Sequence, residues 1–240
     1  MANGIYAAAA GMAAQQTRID AIANDLANSD TTGYKTQQVG FADLLYGSED
    51  GVSVGGGSEA INLGPAMQEG TLAASDNPIA VGINGPGFIQ ARDSAGSTLL
   101  TRNGDLQIDA SGQLVTSDGN QLVPPITVPK GTTAGDLTIS SNGTVSAHGK
   151  SIGQIKLVSV AAPSGLQAAG QSSYVTTTAS GGVTSTTNST LEQGKLEQSN
   201  VDVAQAMSSL LDAQNNYSLL SHAITTQDQL LQMANQLRQT

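Results

Sequence analysis

Histidines and paired carboxylates are the side chains through which this chain would do chemistry, and they are few. The two histidines, His148 and His222, have no second His or Cys at metal-ligand spacing. His148 sits beside Gly149 in a turn-rich stretch and His222 falls within a long helical pattern, so both read as solvated or capping groups. Asp105 and Asp109 share one face of a short strand candidate, a spacing that suits a carboxylate pair or a weak calcium site. Because they flank hairpin turns, they read as solvent-facing acids. The run Gly82-Ile83-Asn84-Gly85-Pro86-Gly87 has the glycine content of a phosphate loop. It follows a strand but opens no helix, and Pro86 removes an amide donor where one is wanted. There is no Gly-x-Ser-x-Gly nucleophile elbow, and with no cysteine there is no thiolate chemistry and no disulfide framework. These residues point to no catalytic site, no cofactor and no metal.

Composition narrows the partners. The 240 residues carry a formal charge of −10 with nine basic residues scattered singly, which argues against nucleic acid and against an anionic membrane surface. Aromatic residues make up only 3% and there is no Trp, so burial must be spread over extended contacts rather than one large core. No window approaches the roughly 18 apolar residues of a membrane span. The opening MANGIYAAAAGMAAQQ lacks a basic n-region, and its apolar run is broken by Gly11 and Gln15-Gln16, unlike a secretory leader.

The elements that position everything else are at the two ends. Val203, Leu210, Tyr217, Ile224 and Leu231 recur every seven residues, with Ala206, Ala213, Leu220 and Ala234 between them and Gln227 as the exception. Such a seam predicts a helix that packs along its length against other helices. From Val201 to Leu237 there is no Gly or Pro, and about 1.5 Å per residue gives a length of roughly 55 Å. Ser199-Asn200 are predicted to cap it, with Asp202 in the first turn. At the other end Ile5, Met12, Ile19 and Leu26 are again seven apart, with Ala8 and Ile22 between them and Gln15 as the exception. The first helix is predicted over residues 4–28, with Gly33 as a stop. Two helices of this kind either pair with neighbouring copies or close a two-helix bundle within one chain.

Between them the period changes to two. Residues 37–46 suit helix or strand, and 47–57 interleave Gly with Ser, Asp and Glu, as in a flexible connection or exposed loop. From Asn77 to about Tyr174, short apolar runs such as Ile79–Ile83, Leu106–Ile108 and Ile155–Val160 alternate with Asn84-Gly85, Asn103-Gly104, Ser111-Gly112, Asp118-Gly119 and Asn142-Gly143. Tight turns of this chemistry predict antiparallel β structure. Residues 175–190, mostly Thr, Ser and Gly, are expected at the surface. The fold class is α+β: N- and C-terminal helices forming a coiled-coil-like layer, with a central antiparallel all-β domain. The expected divisions are 1–35, 36–76, 77–195 and 196–240.

Several runs carry information beyond their period. The first helix ends in Ala23-Asn24-Asp25-Leu26-Ala27-Asn28-Ser29-Asp30-Thr31-Thr32-Gly33-Tyr34-Lys35, with Gly11-Met12-Ala13-Ala14-Gln15-Gln16 upstream. Gly194-Lys195-Leu196-Glu197-Gln198-Ser199-Asn200-Val201 leads into the last helix. Gly85-Pro86-Gly87-Phe88, Thr101-Arg102-Asn103-Gly104-Asp105 and Gly112-Gln113-Leu114-Val115 stand in the middle. Together they resemble the bacterial flagellar rod and hook proteins. Asp25 stands where that family usually has a second Asn, and Ser29-Asp30 where it has Val-Asn or Val-Ser. The matching motif residues are Asn24, Leu26, Asn28, Thr32, Gly33, Tyr34 and Lys35, and Gly194, Leu196, Glu197, Ser199, Asn200 and Val201. Among the branches of the family the runs are most similar to the distal rod type, with the proximal type next, although the stretch from Tyr46 to Asn77 is short for a distal one.

The resemblance implies a structural subunit, not an enzyme. Its terminal helices would pair within and between copies as a helical tube that transmits torque from motor to hook. Ile5, Met12, Ile19, Ile22, Leu26, Val203, Leu210, Tyr217, Leu220, Ile224 and Leu231 would be the assembly residues. The implied partners are copies of the same chain, other rod and hook subunits, the surrounding rings and the flagellar export apparatus. The implied place is the periplasm-spanning rod, reached without a cleaved leader. The alternative from another class is a self-contained secreted β module for adhesion, carried on a helical stalk. With two Phe, five Tyr and no Trp, its aromatic binding platform is hard to build.

Overall fold

The computed structural model describes residues 2–49, 52–186 and 188–239, which gather into two compact units. The first comprises Met1–Ala27, Gln37–Leu63 and Asp202–Thr240, and the second comprises Asn28–Thr36 and Gly64–Val201.

In the first unit, α1 (Ala2–Ala27) and α2 (Val203–Gln239) are the two helices, and β1 (Gln37–Glu49) and β2 (Val52–Pro65) pair as a two-stranded ribbon. The helices run antiparallel. Ile5 and Ala8 share a small cavity with Ala223 and Ile224, while further along α1 Gly11 faces Leu220. Small residues set the closeness of this seam: Ala14 and Ala213 are its fully buried members, and a methyl group added at Gly11 would lie 3.3 Å from Leu220 Cδ1. The ribbon approaches α1 through Gly57, whose φ of +103° suits glycine and whose added Cβ would lie 2.9 Å from that of Ala10.

Two local expectations change here. The glycine-rich stretch 47–57 is not a loop: apart from Asp50 and Gly51, which lie outside the described residues, it belongs to β1 and β2. The long helix is capped by Asp202 rather than by Ser199-Asn200. The Asp202 carboxylate accepts the Gln205 amide at 3.1 Å, and its carbonyl accepts the Ala206 amide at 2.8 Å.

The second unit is the β part. Its strands are β3 (Leu72–Ala74), β4 (Val81–Asn84), β5 (Phe88–Arg92), β6 (Thr98–Thr101), β7 (Leu106–Ile108), β8 (Leu114–Thr116), β9 (Gln121–Leu122), β10 (Leu137–Ile139), β11 (Thr144–Ala147), β12 (Lys150–Gln154), β13 (Leu157–Val160), β14 (Gln167–Gly170), β15 (Ser173–Val175), β16 (Val183–Ser185), β17 (Thr190–Gln193) and β18 (Lys195–Glu197). The main sheet follows β14-β15-β6-β5-β9-β8-β7, with β13 also on β5 and the exposed β16 at its edge. A smaller sheet runs β10-β11-β12, and its pairings and those of the main sheet are antiparallel. The last strands return to the first: β17 pairs with β4 and β18 with β3, placing Glu197 opposite Leu72. The main core gathers Ile79, Val81, Leu106, Leu114, Ile126, Leu137, Val145 and Leu191, and a second cluster forms around Phe88, Leu100, Val158 and Tyr174.

Candidate functional site

The residues that could have done chemistry are dispersed. His148 occupies an exposed turn with φ +49°, and His222 is exposed on α2, where its carbonyl accepts the Thr225 and Thr226 hydroxyls. Asp105 and Asp109 make no carboxylate pair. Asp105 accepts the Asn77 side-chain amide at 2.8 Å, while Asp109 accepts the Gln113 amide at 2.7 Å and the Ser111 amide at 2.9 Å. The Gln113 bond leads in holding the Asp109 carboxyl below its usual range. Among the described residues no group of three His, Cys, Asp or Glu is placed to hold a metal ion.

What the second unit does bring together is the two halves of the terminal motif. Lys35 Nζ donates to Glu197 Oε1 at 2.6 Å and to the Gln68 carbonyl at 2.7 Å. The other carboxylate oxygen, Oε2, accepts from Arg102 Nε at 2.7 Å, and Oε1 also accepts from Arg102 Nη2 at 3.2 Å and from the Gly70 amide at 3.0 Å. Arg102 spends its remaining donors on the carbonyls of Gly85 and Gly87, and its guanidinium lies over the Phe88 ring. All three side chains are inaccessible to solvent or nearly so. Burial pulls the Lys35 ammonium below the ordinary lysine range, against the opposing hydrogen bond and charge of Glu197.

The backbone around this cluster is equally constrained. The Gly33 amide donates to the Glu197 carbonyl at 2.8 Å, and Gly33 adopts φ +67°. A Cβ there would come within 2.7 Å of the Asn103 nitrogen, so both conformation and close approach require glycine. Asn200 binds two other stretches of chain at once. Its Oδ1 accepts the Thr36 amide at 2.9 Å, and its Nδ2 donates to the Ala66 and Gln68 carbonyls at 2.9 and 3.1 Å. Its own amide donates to the Tyr34 carbonyl at 3.4 Å. Around these, Asn28 accepts the Thr31 hydroxyl, the Thr32 carbonyl accepts the Ser172 hydroxyl, and Gly194 bonds through its backbone to Ala80 and Ser75. Leu196 pairs with Ala73, and Ser199 Oγ accepts the Val201 amide. Asn24 and Leu26 are on α1, in the other unit, as is Asp25, whose carboxylate accepts the Gln37 amide at 3.0 Å. A closed set of satisfied ion pairs offers no group to a substrate; what it can do is hold chain segments together.

In the first unit, the heptad residues divide. Ile5, Met12, Ile19, Ile22, Leu26, Leu210, Leu220 and Ile224 are half-buried, whereas Val203 and Tyr217 are 39% and 38% exposed. Leu231 lies on α2, but its side chain is outside the described residues. The heptad reading missed a second set: Met207, Leu211, Leu219, Leu230, Met233 and Leu237 are all exposed, Leu211 at 61% and Leu219 at 67%. At 100° per residue Met207, Leu211 and Met233 point away from Ala213 and Leu220, whereas Leu219, Leu230 and Leu237 lie on the flank, Leu219 lining a cavity with Ala7 and Gly11 of α1. The signal was present as the spacings Val203-Met207-Leu211 and Leu230-Met233-Leu237. Arg102 was missed as a partner for Glu197, since nothing local marks it.

Known proteins resolve what this arrangement belongs to. Family models match residues 5–35 (flagella basal body rod protein), 82–147 (flagellar hook protein FlgE/F/G D1 domain) and 192–237 (flagellar basal body rod FlgEFG protein C-terminal). The flagellar basal-body rod protein FlgG of Caulobacter vibrioides is 36% identical over 262 residues, covering 98% of this chain and 99% of its own. The chain belongs to the flagellar basal-body rod protein family. FlgG of Agrobacterium fabrum is 35% identical over 93% of the chain and 94% of its own length, and FlgG of Bacillus subtilis 32% identical over 97% of each. The rod protein family is structural, and this member is not an enzyme. Its matched segments include both halves of the buried junction: Lys35 falls in the N-terminal match, Glu197 in the C-terminal one and Arg102 in the match between them.

Proposed function

We propose that this protein is a subunit of the bacterial flagellar rod, of the distal type, and that it assembles with copies of itself through α1 and α2 into a helical tube that carries torque from motor to hook. The observation that carries this reading is the second apolar face of α2. A helix with apolar residues on one stripe fits the surface of its own chain, but one apolar on opposite sides needs packing on both. Here α1 covers the side of Ala213 and Leu220, while Met207, Leu211 and Met233 on the opposite side are exposed to solvent. On this reading residues 1–35 and 196–240 are the assembly segments of a coiled-coil-like layer, 77–195 form the β domain, and 36–76 are the extended connection. The heptad residues then serve the seam within a copy, and the exposed set on α2 meets the neighbours. Other rod and hook subunits, the encircling rings and the export apparatus are further partners in the periplasm-spanning rod. The adhesion-module alternative finds no support among the relatives, which are flagellar proteins by name.

The test is assembly against concentration, followed by sedimentation velocity and negative-stain electron microscopy. The native chain is expected to pass from monomer to helical assemblies, and Met207→Asp with Leu211→Asp is expected to remain monomeric with an unchanged circular dichroism spectrum. Assembly of the double variant at the native threshold would overturn the reading.

A further inference from the structure

The chain passes between its two units at residues 27/28, 36/37, 63/64 and 201/202. Three of these four crossings adjoin the buried junction. Lys35 and Thr36 precede one, Ala66 and Gln68 follow another, and Asn200 precedes the last. These segments are joined by scattered backbone bonds, Gly33 to Glu197, Ala66 to Thr36 and Gln198 to Thr71, rather than by a continuous ladder, and the Glu197 and Asn200 side chains add further acceptors and donors between them. By contrast the body of the second unit is held by sheet ladders and an apolar core.

We propose that the Lys35–Glu197–Arg102 cluster is a conformational lock, distinct from the β core, whose opening frees the connecting segments 33–36, 66–71 and 198–201 while the sheets stay folded. The physical reason is that one carboxylate serves two buried cations. If Glu197 leaves, Lys35 and Arg102 are stranded together without a counter-charge, so all three contacts break as a set rather than singly. The main apolar cluster around Ile79, Leu114 and Val145 does not include these side chains; the second cluster meets them through Phe88, over which the Arg102 guanidinium lies. With the lock closed the connecting segments leave an ordered base, and with it open they leave a loose one.

The test is hydrogen exchange on the full chain in its native form, read amide by amide across a series of sub-denaturing urea concentrations. The amides of Gly33, Thr36, Ala66, Gly70 and Gln198 report the lock, and those of Val81, Leu114, Val128 and Ile155 report the core. The lock amides are expected to exchange together, through one opening with weaker urea dependence than the core and at least about ten-fold faster. In Glu197→Gln they are expected to lose protection by at least a further ten-fold or so, with the core amides unchanged. Exchange of lock and core amides at one common rate in the native chain would overturn the proposal, as would equal loss of protection in both groups of the variant. Loss of the whole fold in the variant counts as that second result, and the native urea series stands without it.

Discussion

Lys35 and Glu197 stand 162 residues apart in the chain, yet their charged atoms lie 2.6 Å apart in a place that excludes solvent from both side chains. The pair ties the segment that ends the first helix's motif to the one that leads into the second. Arg102, from the turn after β6, completes the neutralisation and leaves one excess positive charge within the cluster, spread over the carbonyls of Gly85, Gly87 and Gln68. A lone buried carboxylate would be costly; one that accepts four hydrogen bonds is a fixed point.

Arg102 should not tolerate lysine. The guanidinium makes two bonds to Glu197 and two to backbone carbonyls in one plane, and a lysine ammonium cannot reproduce that fork. Arg102→Lys is expected to destabilise the second unit by about 2–3 kcal/mol, read as a shift of the urea midpoint. A midpoint within error of the native protein would show that the fork contributes nothing.

Two glycines with the same sign of φ should respond unequally. At Gly33 (φ +67°) an added methyl group would meet the backbone of Arg102 and Asn103 within 3 Å, whereas at Gly119 (φ +81°) it would meet nothing within 4 Å. Gly119→Ala then carries the left-handed penalty alone, about 1 kcal/mol. Gly33→Ala adds a backbone clash, and a loss of at least twice that size is expected in the same denaturation assay.

Tyr174 should mark the alkaline limit of the second unit. Burial is the main cause that pushes its hydroxyl up to about 12, with the Arg102 charge opposing. The folded state therefore prefers the neutral ring. Its contribution to stability is whole below the unfolded tyrosine pKa of about 10 and is lost as pH rises from there through about 12. Spectrophotometric titration of tyrosinate is expected to show a late step in that window which disappears in Tyr174→Phe. Retention of the late step in that variant would assign it elsewhere.

Ala213 should be as sensitive as its neighbours on the other face of α2 are indifferent. It is 0% exposed in the seam with α1, so Ala213→Leu overfills the contact and is expected to lower the stability of the first unit by about 1–3 kcal/mol. Leu211→Ala, on the exposed face, is expected to change monomer stability by no more than about 0.5 kcal/mol. Thermal melts at a concentration that keeps both variants monomeric separate the two.

What the sequence disclosed was what repeats locally. Seven-residue spacing located both helices, the first ends at Ala27 beside the expected residue 28 with Gly33 six residues beyond, and the Asn-Gly and Asp-Gly pairs marked the β part. Lys35 and Glu197 were legible as motif letters but not as an ion pair, because their meeting depends on β18 returning to β3. Asn200 looked like a helix cap because its type suits one; its side chain instead joins Thr36, Ala66 and Gln68, and Asp202 takes the cap. Of the ribbon of β1 and β2, residues 37–46 were legible as helix or strand without a choice between them, and 47–57 read as a loop because glycine-rich strands carry a weak alternation. The outer face of α2 escaped because a heptad template accounts for one seam and stops looking.

The return of the final strands to the first has a kinetic side. Leu72 waits for Glu197 and Val81 for Gln193, so these pairings close loops of well over a hundred residues. Contacts of such sequence separation form slowly, since the entropy of closure precedes any reward. During synthesis β3 and β4 leave the ribosome long before β18 and β17 exist, with unpaired edges meanwhile. The β part therefore completes its pairing only once residues 190–197 have been made.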